Sequence, residues 1–184
     1  MIAASSLTSC LDEKPLYSQN NNLSSENSAE LALLGCYSYM ASVDCYGQFS
    51  QEIPISAAGF TWTQRSGNDG IVSLQALSSD ELISNTWKGL YKVISESNAY
   101  LENLEKSDLN EASKTQFGGE AKFLRAVAYY NLVSLWGDVP LKTIASTSGD
   151  ISTPRSPKEK VLEQVVKDLT DALSIHETSE DGRA

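Results

Sequence analysis

The stretch from Gly118 to Leu141 constrains this chain more than any other part of it. Along residues 117–136, apolar side chains occupy nearly the whole circumference of a helix. Phe117, Ala121, Leu124, Ala128, Leu132 and Leu135 line one side, and Phe123, Val127 and Tyr130 hold much of another. Ala126, Tyr129, Val133 and Trp136 fill the rest, and charge enters only at Glu120, Lys122 and Arg125. A helix apolar nearly all round predicts a helix covered on all sides. Its end is as well marked as its body: Gly137 suits a C-terminal cap, and Pro140 prevents continuation.

Three further helices are predicted around it. The first starts near Ser25 and places Ala29, Ala32, Leu33, Cys36, Tyr37 and Met40 on one stripe. The second opens on a Ser78/Glu81 capping box. Its apolar face runs through Ile83, Trp87, Leu90, Tyr91, Ile94, Asn98 and Leu101. An unpartnered buried amide costs about 1–3 kcal/mol, so Asn98 is expected to tie this helix to a neighbouring backbone. The short link from Lys106 to Asn110 predicts an antiparallel hairpin between the second and third helices. Ser156, Pro157 and Glu159 carry the start signals of a fourth helix, with Leu162, Val165, Val166, Leu169, Ala172 and Leu173 as its apolar stripe. Between the first two helices, residues 42–77 lose the helical period and form a long irregular excursion. The fold class is therefore mainly all-α. Four helices are little structure to enclose so apolar an element. Either the excursion wraps it or more chain follows Ala184, and the second reading makes these 184 residues a fragment.

The chemistry of the chain is defined partly by what it lacks. The formal net charge of −10 repels phosphate backbones and argues against nucleic acid as a partner. No apolar run reaches the roughly 20 residues a bilayer-spanning helix needs. There is no phosphate-binding glycine loop, nucleophile elbow or metalloprotease motif. Gly118-Gly119 lacks the preceding strand that a phosphate loop requires. His176 is the single histidine, which removes most zinc spacings, and at the end of a helix it fits a surface role. Glu120 and Arg125 could pair, in a structural rather than catalytic role. The residues thus predict no enzyme, no metal and no cofactor.

Two regions keep binding or anchoring character. Small apolar residues from Met1 to Leu7 lead through Thr8 and Ser9 to Cys10. Small residues before a cysteine suit lipoprotein processing, although the stretch is too short for a complete signal peptide; a plain thiol in a frayed terminus is the other reading. Cys36 and Cys45 could pair in an oxidising compartment, but Cys36 on an apolar stripe fits a buried free thiol better. Within the excursion, Phe60, Trp62, Gln64, Arg65, Asn68 and Asp69 are the residue types that bind sugars, with an aromatic face against the ring and polar groups on the hydroxyls. Phe60 and Trp62 would serve equally to anchor the loop to the helices.

These residues together resemble the N-terminal part of the SusD/RagB family of nutrient-binding outer-membrane lipoproteins. Ser9-Cys10-Leu11-Asp12-Glu13 looks like the family's lipidated cysteine followed by acidic residues. Trp87, Tyr91, Ile94 and Asn98 are similar to its first long-helix signature. Gly119 to Ala126 and Leu135 to Leu141 closely resemble its strongest motif, and Asp168, Leu169 and Ala172 resemble the next helix. The resemblance implies a tetratricopeptide-like scaffold of helical hairpins and a lipid anchor at Cys10. It implies a glycan or peptide ligand, exposure at the cell surface on the outer membrane, and a TonB-dependent SusC-like transporter as partner, with no catalysis. It divides the chain into residues 1–22, a signal remnant, anchor and tether, and residues 23–184, a helical domain truncated at its C-terminus. The candidate ligand residues Phe60, Trp62, Arg65 and Asn68 rest on their chemistry, since the family's motifs do not reach them. A protein-only interaction scaffold is the competing expectation.

Overall fold

A computed structural model describes residues 23–48, 53–54, 69–72, 75–145 and 153–173. Its elements are α1 (Glu26–Met40), a one-turn α2 (Asp69–Val72), α3 (Glu81–Glu105), α4 (Glu111–Trp136), β1 (Val139–Pro140), β2 (Arg155–Ser156) and α5 (Lys158–Ala172). The mainly all-α architecture holds, with one two-residue antiparallel ladder pairing Val139 with Ser156 and Pro140 with Arg155. The excursion, expected to be irregular, contains the helical turn α2.

Local chemistry explains where the helices begin. Ser25 and Ser28 exchange side chain-to-backbone bonds across the first turn of α1 at 3.2 and 3.0 Å, a reciprocal cap. Asn110 accepts from the Ser113 amide at 2.9 Å to start α4. Glu26 in the first turn of α1 also accepts from the Ser113 hydroxyl and from Asn110, so the starts of α1 and α4 are tied together.

Two predicted capping boxes do not form. Asp80, not Ser78, is the residue before α3. A turn closes from the Asp80 amide to the Leu77 carbonyl at 3.0 Å, and the Asp80 carboxylate accepts from the Leu77 amide at 2.9 Å. That turn takes Ser78 out of reach of the helix. At α5, Ser156 is held in β2, Pro157 precedes the helix, and no side chain of its own caps it. The Lys158 amide donates instead to Asp138 Oδ1 at 2.9 Å, so the acidic residue after the Gly137 turn supplies the cap.

Helices α3 and α4 form the expected hairpin. Leu104 lies against Gly118, Asn98 meets Arg125, and Trp87 meets Trp136 edge-on at 5.2 Å. Residue numbers fall on one helix as they rise on the other, so the pair is antiparallel. Helix α1 lies against both, with its predicted stripe inward: Ala29, Leu33, Cys36 and Met40 are buried. Tyr100 on α3 donates to the Ala29 carbonyl at 3.1 Å, and Tyr37 donates to Glu120 at 3.0 Å. Gly89 lets the 41–48 turn close onto α3, because a Cβ there would stand 2.8 Å from Asp44 Cβ and 2.9 Å from Cys45 Sγ. Cys36 and Cys45 are buried and free; burial pushes their thiols up to about 12 and about 11, which leaves both unreactive.

The apolar faces need three corrections. On α3 the expected Leu90, Ile94 and Asn98 are buried, together with Leu82, Thr86, Val93, Ser97, Tyr100 and Leu104, while Ile83, Trp87, Tyr91 and Leu101 lie at the edge. On α4, Phe123 and Tyr130 are exposed, so the helix is covered on three sides rather than four. On α5 the difference is greater. The buried row is Val161, Val165 and Asp168, while Leu162, Val166, Leu169 and Leu173 of the predicted stripe face outward.

Candidate functional site

The densest polar arrangement follows directly from the stop of α4. Gly137 takes φ +70°, a conformation that favours glycine, and its amide caps the Val133 carbonyl at 2.9 Å. The chain then doubles back as an extended strap over residues 139–145, across the α3/α4 hairpin. Side chains from both helices hold its backbone. Tyr91 donates to the Pro140 carbonyl at 2.7 Å. Tyr129 donates to the Lys142 carbonyl at 2.8 Å and accepts from the Lys142 amide at 2.6 Å. Asn98 donates to the Lys142 and Ile144 carbonyls at 3.0 and 3.1 Å. The backbone tie expected of Asn98 is thus present, twice over. Burial raises the Tyr91 and Tyr129 phenols, Tyr129 to about 12, so both stay neutral donors.

Arg125 joins this strap to α5. Its Nη1 donates to Asn98 Oδ1 at 2.7 Å and to the Thr143 carbonyl at 3.4 Å. Its Nε and Nη2 fork onto the two carboxylate oxygens of Asp168 at 2.8 and 2.7 Å. Both side chains are buried, and Gln164 donates a further bond to Asp168 at 2.9 Å. A bidentate, fully bonded pair is the form in which burying two charges is tolerable. The sequence suggested a local partner, Glu120, for this arginine; the structure gives it one 43 residues further on. A single acidic residue on the Val161/Val165 row was the available signal. Beside the pair, Lys122 bridges to Asp171 at 2.7 Å.

A pocket of about 440 Å³ opens where the end of α3 and the first half of α4 meet the strap, lined by Asn98, Leu101, Leu104, Gly118, Lys122 and Ile144 among others. Its size suits a small ligand. Its chemistry suits a sugar poorly: among the described residues no aromatic side chain lines it, and Asn98 and Arg125 are committed to the strap. Among the described residues no group of acidic, Cys or His side chains could hold a metal ion. The candidate ligand residues Phe60, Trp62, Arg65 and Asn68 lie outside the described residues, as do Cys10 and His176. What the described structure builds is therefore a rigid helical scaffold with a clamped strap.

Comparison with known proteins agrees with that description. Residues 10–181 match the model of a SusD-like family described as starch-binding and associating with the outer membrane. The chain belongs to this SusD-like family. A SusD-like protein of Formosa agariphila is 30% identical over 193 aligned positions, covering 94% of this chain and 36% of that protein. A solved SusD superfamily protein from Bacteroides thetaiotaomicron shares the fold with a TM-score of 0.72 at 24% identity, over 82% of this chain and 37% of its own. A structure solved with a xylogluco-oligosaccharide aligns with a TM-score of 0.71 at 27% identity, over 85% of this chain and 32% of its own. The chain thus spans about a third of the length of the proteins it matches. The tetratricopeptide-like hairpin fold and membership of a glycan-binding, outer-membrane-associated family are established on these grounds.

Proposed function

We propose that this protein is a glycan-binding lipoprotein of the cell surface that captures oligosaccharide and passes it to a TonB-dependent SusC-like transporter. The observation that carries the reading is the family match across residues 10–181. It begins at the cysteine whose preceding small residues suit lipid attachment. The xylogluco-oligosaccharide in a structural relative supports a sugar as the ligand class. In this reading residues 1–22 are signal remnant, anchor and tether, Cys10 carries the lipid, and residues 23–184 form the N-terminal part of the binding domain. The protein binds and does not catalyse. Phe60 and Trp62 offer ring faces to a sugar, while Arg65 and Asn68 bond its hydroxyls.

Calorimetric titration with a panel of oligosaccharides and peptides tests the ligand. Glycan binding that weakens at least tenfold in Trp62→Ala is expected, since aromatic contacts dominate such sites. Peptide binding with no glycan binding would replace the sugar by a peptide ligand. Binding to proteins alone would favour an interaction scaffold. For the anchor, Cys10→Ala behind an intact signal peptide is expected to release the protein from the membrane fraction, and unchanged retention would remove lipidation from the reading.

A further inference from the structure

Two glycines inside the hairpin helices have different reasons to be there. Packing demands Gly89, because a Cβ there would stand 2.8 Å from Asp44 Cβ and 2.9 Å from Cys45 Sγ. Packing does not demand Gly118. A Cβ there would come no closer than 3.4 Å, to the flexible end of Leu104, with the end of Leu101 at 3.9 Å. Its backbone lies in the middle of α4, where glycine lowers stability relative to alanine. What the missing side chain provides is room, since Gly118 lines the pocket of about 440 Å³ between α3, α4 and the strap. Leu101, Leu104 and Ile144 give that pocket apolar walls. Asn98 pins the Ile144 carbonyl at 3.1 Å, yet Ile144 is 74% exposed, so an apolar side chain is held beside the pocket largely uncovered.

The charges around the pocket say what else an occupant must carry. Lys122 is held by Asp171 at 2.7 Å, Arg125 by Asp168 at 2.7 Å and Glu102 by Lys106 at 2.7 Å. Two lining groups are left over. Lys114 reaches only the Glu105 carbonyl at 3.4 Å and the Glu111 carboxylate at 3.9 Å. Among the described residues, nothing bonds the Glu105 carboxylate. The contact of Lys114 with the Glu105 backbone puts this loose cation and this loose anion at one end of the pocket. We propose that the pocket binds a small zwitterion with an aliphatic side chain, the chemistry of a free branched-chain amino acid. Its side chain fills the space over Gly118, its carboxylate meets Lys114, and its ammonium meets Glu105. The proposal goes beyond the glycan reading and does not depend on it.

Chemical-shift titration with free leucine tests it. Saturable shifts at Leu101, Leu104, Gly118 and Ile144 are expected. Isocaproate keeps the side chain and carboxylate without the ammonium, and isoamylamine keeps the ammonium without the carboxylate. Each should bind about tenfold more weakly, for the loss of one charged contact. Free glycine, which has no side chain, should not bind. Gly118→Ala is expected to raise Tm and to weaken leucine about fivefold or more, because a methyl group enters a fitted space. Lys114→Gln and Glu105→Gln should each weaken leucine about tenfold while Tm holds. The absence of saturable shifts with leucine would overturn the site. Isocaproate or isoamylamine binding as tightly as leucine would overturn the zwitterion. A lower Tm for Gly118→Ala would return the glycine to helix packing and remove the pocket's claim on it.

Discussion

The α3/α4 hairpin and helix α5 bury their neighbours by different means. Between α3 and α4 the contact is mostly apolar, with Leu90, Ile94, Leu124 and Leu132 fully buried, and the strap seals one edge through six hydrogen bonds, five donated by Tyr91, Asn98, Tyr129 and Arg125 and one donated by the Lys142 amide to Tyr129. Helix α5 packs as extensively on α4, but the residues it buries are two valines and one carboxylate, and it turns four apolar side chains outward. The contrast teaches that apolar residues alone do not select the face a helix buries. On α5 the buried row is the one that carries the salt bridge to Arg125.

The comparison is broken most directly at that bridge. Asp168→Ala leaves the Arg125 guanidinium buried without its partner and is expected to cost about 3–5 kcal/mol, seen as a lower urea midpoint. Replacing both partners, Arg125→Met with Asp168→Leu, should recover most of that loss. Recovery absent from the double variant would mean that the strap contacts of Arg125 matter more than the pair.

Next in size is Asn98→Ala. It frees the Ile144 carbonyl, leaves the Lys142 carbonyl with Tyr129 alone and removes an acceptor from Arg125, for about 1–3 kcal/mol. Amide exchange should quicken along residues 142–145 more than in the α3/α4 core. Equal quickening in both regions would show that strap and hairpin open together.

The hairpin itself has a flaw to remove. Thr86 Oγ1 is buried with no hydrogen-bond partner, so the near-isosteric Thr86→Val is expected to stabilise by about 1 kcal/mol. A loss of stability would show that the hydroxyl is bonded in solution.

The smallest effect concerns the second tie of α5. The hydrogen bond from Lys122, helped by its charge, holds the Asp171 carboxyl below its ordinary value. A carboxylate lowered in the folded state stabilises above its unfolded pKa, about 3.9, and that contribution is lost as pH falls through the folded value. Asp171→Asn should therefore flatten the acid limb of the stability profile below about pH 4 and change little at pH 7. Both partners are about a third exposed, so the effect is small.

Much of the scaffold was legible because it is written locally. The cap at Ser25, the inward stripe of α1, the short link to Asn110 and the stop at Gly137 each need only neighbouring residues. Asn98 was legible for a related reason: an amide amid apolar residues must find a partner. The inward face of α5 was not, because ranking by hydropathy puts Leu162, Val166, Leu169 and Leu173 ahead of a row containing an aspartate. The preference reverses only once Arg125 is brought to Asp168 by the fold. The start of α3 was missed because a turn between Leu77 and Asp80 competes with the Ser78 cap. The candidate ligand residues were the least legible, since Phe60, Trp62, Arg65 and Asn68 lie where no period orders the chain.

The position of Asp168 also bears on the order of assembly. The hairpin can start at its short link, where Leu104 meets Gly118, and contacts between residues so close in sequence form early. The carboxylate that locks α5 arrives from 43 residues away, at a guanidinium already aimed by Asn98 at 2.7 Å. Closing that contact is thus a late step, and Asp168→Ala should hasten unfolding far more than it slows folding. Rate measurements across a denaturant series would show it as a shift confined to the unfolding arm.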